Sequence, residues 1–244
     1  MYENEFQQKS LISSVDGTQQ RYFVRKGKAD SPCMIYLHGH GSSGDQLMKR
    51  RDVAEFKTSF LVRQDFSVIS PDLRGNAWMS EAAVTDLADI IRTEKPLLSW
   101  NRLLITAGSM GGTGALIFAV CHPELVDGLA VFGAATDLET YCSFLKAQDN
   151  PGLKTILEAI EQSYPTPESK KAHSACLHAD KLTVPIWYLH GGSDTVIPVS
   201  EAHALVRRMA GCPNFHYREI AGGDHDAPLP YYVETVTELL KSFR

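Results

Sequence analysis

Three residues have the types and the surroundings that nucleophilic catalysis needs: Ser109, Asp194 and His225. Ser109 stands in Ala107-Gly108-Ser109-Met110-Gly111-Gly112, between an apolar run and a helical stretch, Thr113 to Cys121. Small residues on both sides permit a turn so tight that the serine is forced into strained dihedrals. Its hydroxyl would then stand clear of the backbone at a helix N-terminus, where the dipole favours developing negative charge. A Gly-rich turn of this kind also serves close packing or phosphate binding. A Walker loop needs G-x-x-x-x-G-K-[ST], and no lysine follows here; a Rossmann G-x-G-x-x-G belongs at the first strand of a sheet, whereas this turn follows a middle one.

A serine nucleophile needs a base and a group that orients the base. Asp194 closes His190-Gly191-Gly192-Ser193-Asp194, one loop beyond the apolar run Pro185–Leu189. His225 follows Ala221-Gly222-Gly223-Asp224, after the run Phe215–Ile220. The chain order Ser, Asp, His is that of one known arrangement of the triad. Of the nine histidines, His203 falls in a helical period, His216 in a strand, and His122, His173 and His178 border helices, positions suited to packing or surface. Tyr36-Leu37-His38-Gly39-His40-Gly41 ends another run, and its glycines free backbone N–H groups to face a ligand oxygen. His38-x-His40 has a metal-ligand look, but no third and fourth ligand stand at a readable spacing, so no metal is expected.

These residues need a frame. Short apolar runs (Cys33–Leu37, Phe66–Ile69, Arg102–Thr106, Gly128–Phe132, Pro185–Leu189 and Phe215–Ile220) alternate with helical periods such as Val84, Leu87, Ala88 and Ile91. Residues 229–243 read as a last helix. Such alternation predicts an α/β fold: a mostly parallel, twisted sheet with helices on both faces and ligands at the carboxyl ends of the strands. The first 26 residues read as an antiparallel hairpin around Asp16-Gly17. Residues 138–182 are too long for an ordinary connection and predict a small helical cap inserted in a single domain spanning 1–244.

Composition narrows the partners. The 244 residues are 43% hydrophobic and 22% charged, ordinary for a globular chain, which excludes disorder and fibrous folds. A net charge of −5 with no basic run longer than the three residues Lys49-Arg50-Arg51 argues against nucleic acid. No stretch approaches the ~20 apolar residues of a membrane span. The polar, mixed-charge opening MYENEFQQKS is unlike a secretory signal, and five cysteines without C-x-x-C spacing read as small buried hydrophobes in a reducing compartment. A cytoplasmic monomer or homodimer is the expectation.

On these residues the sequence resembles the α/β-hydrolase superfamily, and within it the dienelactone-hydrolase-like and prolyl-oligopeptidase-like esterases. Leu37-His38-Gly39-His40-Gly41 is similar to their HGxG loop, Asp72-Leu73-Arg74-Gly75 to their D-x-R-G segment, and Pro185 to Pro198 to their P-x-x-x-x-H-G-x-x-D-x-x-V/I-P run. Ala107 replaces the first glycine of G-x-S-x-G, and His40 fills the variable oxyanion-loop position. The resemblance implies an esterase acting on a small-molecule ester without cofactor, with Ser109 as nucleophile, His225 as base and Asp194 as its orienter. It implies an oxyanion hole of the His40 and Met110 N–H groups. Thioester or small-peptide hydrolysis on the same triad is the alternative, and a non-catalytic ligand-binding fold, which usually lacks a triad member, is a further one. Residues that follow strand ends or lie on the cap (Trp78, Met79, Met110, Tyr141, Phe144 and Leu145) are expected to line the substrate pocket. No Arg or Lys cluster marks a strand end to receive a strongly anionic substrate; Arg74 is a single candidate.

Overall fold

Cys33–Leu37 and Gly128–Phe132 carry no charged side chain and are buried at every position, which requires both faces of the sheet to be covered. The computed structural model describes residues 3–243; Met1 and Tyr2 of the expected hairpin, and Arg244, lie outside them. Its strands are β1 (Gln7–Ile12), β2 (Gln19–Arg25), β3 (Cys33–Leu37), β4 (Ser67–Pro71), β5 (Leu103–Gly108), β6 (Gly128–Phe132), β7 (Ile186–Gly191) and β8 (Phe215–Ile220). They form one sheet in the order β1-β2-β4-β3-β5-β6-β7-β8. The β1–β2 and β2–β4 pairs are antiparallel, and every other pair is parallel.

Side chains alternate across a strand, and two cores result. Cys33, Ile35 and Leu37 face a core shared with the helices Glu81–Leu98, Met110–Cys121 and Val199–Arg208. Met34 and Tyr36 face a second core, filled by Leu47, Phe60 and Leu61 from helical turns within residues 46–63 and by Val236 of the helix Tyr232–Lys241. The first core also takes the segment 138–182, whose helices Leu138–Lys146 and Pro151–Ser163 contribute Tyr141, Leu145 and Ile160, with Tyr164 following before the helix Pro167–Ala172. The Asp137 carboxylate caps the first of these helices and the Asn150 side chain the second.

Three sequence expectations change. The helical turns over 46–63 were not anticipated. β8 is an edge strand with no fully buried residue, so its apolar character is not that of a central strand. All five cysteines are free, but Cys121 is exposed rather than buried, because it ends its helix. Among the described residues no helix is long and apolar enough to cross a membrane.

Candidate active site

β5 runs directly into the helix Met110–Cys121 through Ser109, which adopts φ 57° and ψ −129°. A side chain rarely occupies this region. The turn is held open by hydrogen bonds on both sides: Ser109 N–H donates to the Phe132 carbonyl at 2.9 Å, and Thr113 N–H to the Ser109 carbonyl at 3.0 Å. A glycine at 111 is required because a Cβ there would collide with the Leu37 and His38 carbonyls. That close approach sets the helix start beside the end of β3.

The loops after β7 and β8 meet. Ser193 N–H donates to the Gly223 carbonyl at 2.7 Å, and Gly191 leaves room for the Asp224 backbone that any Cβ would strike. This contact carries His225 to Asp194, with Nδ1 at 2.6 Å from Oδ2. The other oxygen, Oδ1, accepts the Val196 and Ile197 N–H groups at 2.8 and 2.9 Å. His190, fully buried, places Nε2 at 3.4 Å from Oδ2 and donates from it to the Ile197 carbonyl. Burial pushes the Asp194 carboxyl pKa up, yet the hydrogen bonds from His190, His225 and Ile197 outweigh it and hold the group well below the usual carboxylate range.

Ser109 and His225 line one cavity of about 320 Å³. Among the described residues no hydrogen bond yet joins the serine hydroxyl to the imidazole; such contacts often tighten only around substrate. With Nδ1–H given to Asp194, a neutral His225 presents a bare Nε2 as proton acceptor. The loop after β3 also passes close to the serine. Gly39 passes so near that a Cβ on it would stand 3.9 Å from Ser109 Cβ. Neither the His40 nor the Met110 N–H has an acceptor among the described residues. The His40 ring is turned elsewhere, accepting from Trp78 Nε1 at 3.3 Å and meeting the Thr155 hydroxyl at 3.4 Å. Burial, and then the neighbouring His38, push its pKa down, which favours the neutral ring.

The pocket residues expected from sequence are elsewhere. Trp78, Met79, Tyr141 and Leu145 are buried in the core on the opposite face of the sheet, and Phe144 packs against that core. Tyr164 Oη donates to the Trp78 and Met79 carbonyls, fixing that loop beneath the helices of 138–182. Met110 likewise buries its side chain there. Arg74 is engaged with Asp86 and Asp16 at 2.6 and 2.7 Å and does not border the cavity. The cavity belongs to the Tyr36 face instead. Its walls include Tyr36, Val53, Lys57, Phe132, Leu229 and Pro230. The sequence signal for this wall was faint: Val53, Lys57, Phe60 and Leu61 follow helical spacing, interrupted by a charge.

A serine in a strained turn after a central strand, with an aspartate loop after β7 and a histidine loop after β8, is the layout of the α/β-hydrolase class. The family model of the alpha/beta hydrolase fold matches residues 32–165, and the chain belongs to that family. A proline iminopeptidase of Arabidopsis thaliana is 28% identical over 118 residues, covering 46% of this chain but only 29% of that protein. A 2-hydroxy-6-oxo-6-(2'-aminophenyl)hexa-2,4-dienoic acid hydrolase of Metapseudomonas resinovorans is 25% identical over 233 residues, covering 78% of this chain and 76% of that protein. The S-formylglutathione hydrolase of Staphylococcus aureus shares the fold with a TM-score of 0.70 over 97% of both chains at 13% identity.

Proposed function

We propose that this protein is a serine hydrolase that cleaves a carboxylic ester of a small molecule through an acyl-enzyme, without a cofactor. The observation that carries the reading is that His225, 2.6 Å from Asp194, lines one cavity with a strained serine at a helix head. In this reading His225 Nε2 takes the Ser109 proton as Oγ attacks the ester carbonyl. The carbonyl oxygen becomes an oxyanion, received by the His40 and Met110 N–H groups. His225 then returns the proton to the departing alkoxide, which leaves as the alcohol. Water repeats the sequence on the acyl-serine, releasing the acid and restoring Ser109. Asp194 keeps the imidazole in its working tautomer and stabilises it when charged.

The test is turnover of p-nitrophenyl esters from acetate to palmitate, with Ser109→Ala in parallel. The expected loss in kcat is on the order of 10⁴-fold or more. A variant that keeps near-parental turnover overturns the assignment. The proline iminopeptidase relatives favour a second, amide-cleaving reading; proline p-nitroanilide turned over faster than any ester would establish it. A fluorophosphonate probe that leaves Ser109 unlabelled would point to a fold that only binds ligand.

A further inference from the structure

We infer that Lys57 is an anion-recognising subsite of the cavity, so that the substrate is a small ester also bearing a free carboxylate. The inference rests on the hydrolase reading for the word ester, but the subsite itself stands on separate observations.

Lys57 lies in a π-helical turn, Ala54–Thr58, and is 6% exposed while lining the same cavity as Ser109. Its Nζ makes one hydrogen bond, to Tyr36 Oη at 3.3 Å. That hydroxyl is turned onward to Gln46 Oε1 at 3.5 Å. The ammonium also sits 5.0 Å and 5.2 Å from the ring centroids of Tyr36 and Tyr232. Among the described residues no carboxylate lies within ion-pair distance of it, whereas the buried carboxylates Asp86 and Glu94 each have an ionic partner. An ammonium has three N–H donors, so two have no acceptor among the described residues. Burying a cation in this condition is costly unless an anion arrives.

The aromatic faces offset part of that cost, and they would do so for a purely structural lysine. Position argues otherwise. Lys57 stands four residues after Val53 and four before Leu61, both buried, where an apolar residue would fill the face without any desolvation cost. The charge is therefore an expense that packing does not explain. The surroundings suit a single negative charge. Among the described residues Arg50, Lys57 and Asp226 border the cavity, and of these the Lys57 ammonium is the buried cation. A lysine presents a compact point charge with rotatable donors, which fits a carboxylate at the end of a flexible chain.

The experiment compares mono-p-nitrophenyl esters of glutaric, adipic and pimelic acid, each against its own distal methyl ester. The expected result is that at least one free acid exceeds its methyl ester in kcat/KM by tenfold or more, with the advantage shrinking at high ionic strength. Lys57→Met should reduce that acid-to-methyl-ester ratio at least tenfold, and Lys57→Arg should restore part of it. A ratio near one in the parent protein, or one unmoved by Lys57→Met, overturns the subsite. Calorimetric binding of the monomethyl esters of the same acids to Ser109→Ala protein, with and without Lys57→Met, reads the subsite without catalysis. Binding lost on Lys57→Met, in a protein with no turnover and no fluorophosphonate label, keeps the subsite and removes the hydrolase reading. Turnover of neutral esters without carboxylate binding does the reverse. If Lys57→Met does not fold, Lys57→Gln tests the same ratio.

Discussion

His225 Nδ1 stands 2.6 Å from Asp194 Oδ2, on a carboxylate whose other oxygen is already held by the backbone of Val196 and Ile197. The carboxylate is therefore fixed before it meets the imidazole, and the imidazole inherits its orientation from the loop after β7. Asp194→Asn preserves shape but can offer an N–H where His225 needs an acceptor, which favours the wrong tautomer. A fall in kcat of about 10³–10⁴-fold is expected, measured on whichever ester the parent protein cleaves best.

The same carboxylate links folding to pH. Its pKa is lowered in the folded state, so the unfolded chain binds the extra proton first as pH falls. Its contribution is fully present above the ordinary aspartate value of about 3.9 and is lost progressively below it. Urea unfolding from pH 6 down to the acid limit should show parental stability falling below about pH 4. Asp194→Asn should show a shallower fall over that range.

Leu145 and Leu229 separate packing from specificity. Leu145 is fully buried in the core away from the cavity, so Leu145→Ala should cost about 2–5 kcal/mol in urea unfolding and leave the preferred acyl length where it was. Leu229 borders the cavity, and Leu229→Trp should shorten the longest p-nitrophenyl ester accepted. A shift in acyl preference on Leu145→Ala would return the 138–182 helices to the pocket.

Tyr164→Phe removes one hydroxyl that serves two carbonyls, those of Trp78 and Met79, at 2.9 and 2.6 Å. Both residues have positive φ, 47° and 59°, a conformation the chain adopts only under outside constraint. Stability should fall by about 1–3 kcal/mol, the penalty for leaving a buried polar group unpaired. Chemical denaturation reads this directly, and kcat/KM measured on the folded variant should change little.

Ser109→Gly should remove activity and raise the melting temperature. Glycine reaches φ 57° without a Cβ clash, so the strain in the elbow disappears with the hydroxyl. Backbone strain of this type costs on the order of 1–3 kcal/mol. An unchanged or lowered melting temperature, read by calorimetry against Ser109→Ala, would mean the elbow is unstrained.

Much of this layout was legible from sequence because local patterns carried it. Cys33–Leu37, Gly128–Phe132 and Phe215–Ile220 are strands over the residues expected, and the helix from Leu138 ends one residue before the expected Ala147. Ser109, Asp194 and His225 could be picked out because glycine clusters mark strand ends. What stayed hidden was which face of the sheet each helix covers. That depends on β-strand register and crossover path, which no local spacing encodes. Trp78 and Tyr141 therefore looked like pocket residues although they pack together, their rings 5.9 Å apart, in the far core. Lys57 was missed for a related reason. Its segment carries charges at 50, 51, 52, 55 and 57, which blurs the helical stripe, and only the fold shows that Lys57 is buried.

The sheet divides these tasks between its two sides. On one side the helices of 138–182 join the larger core; on the other, residues 46–63 and 226–230 enclose the cavity. Changes that adapt the protein to heat and changes that reshape its cavity can then accumulate on separate surfaces, with the central strands as a partition. A mutational library confined to the second set would alter what the protein accepts while drawing little on the reserve of stability held by the first.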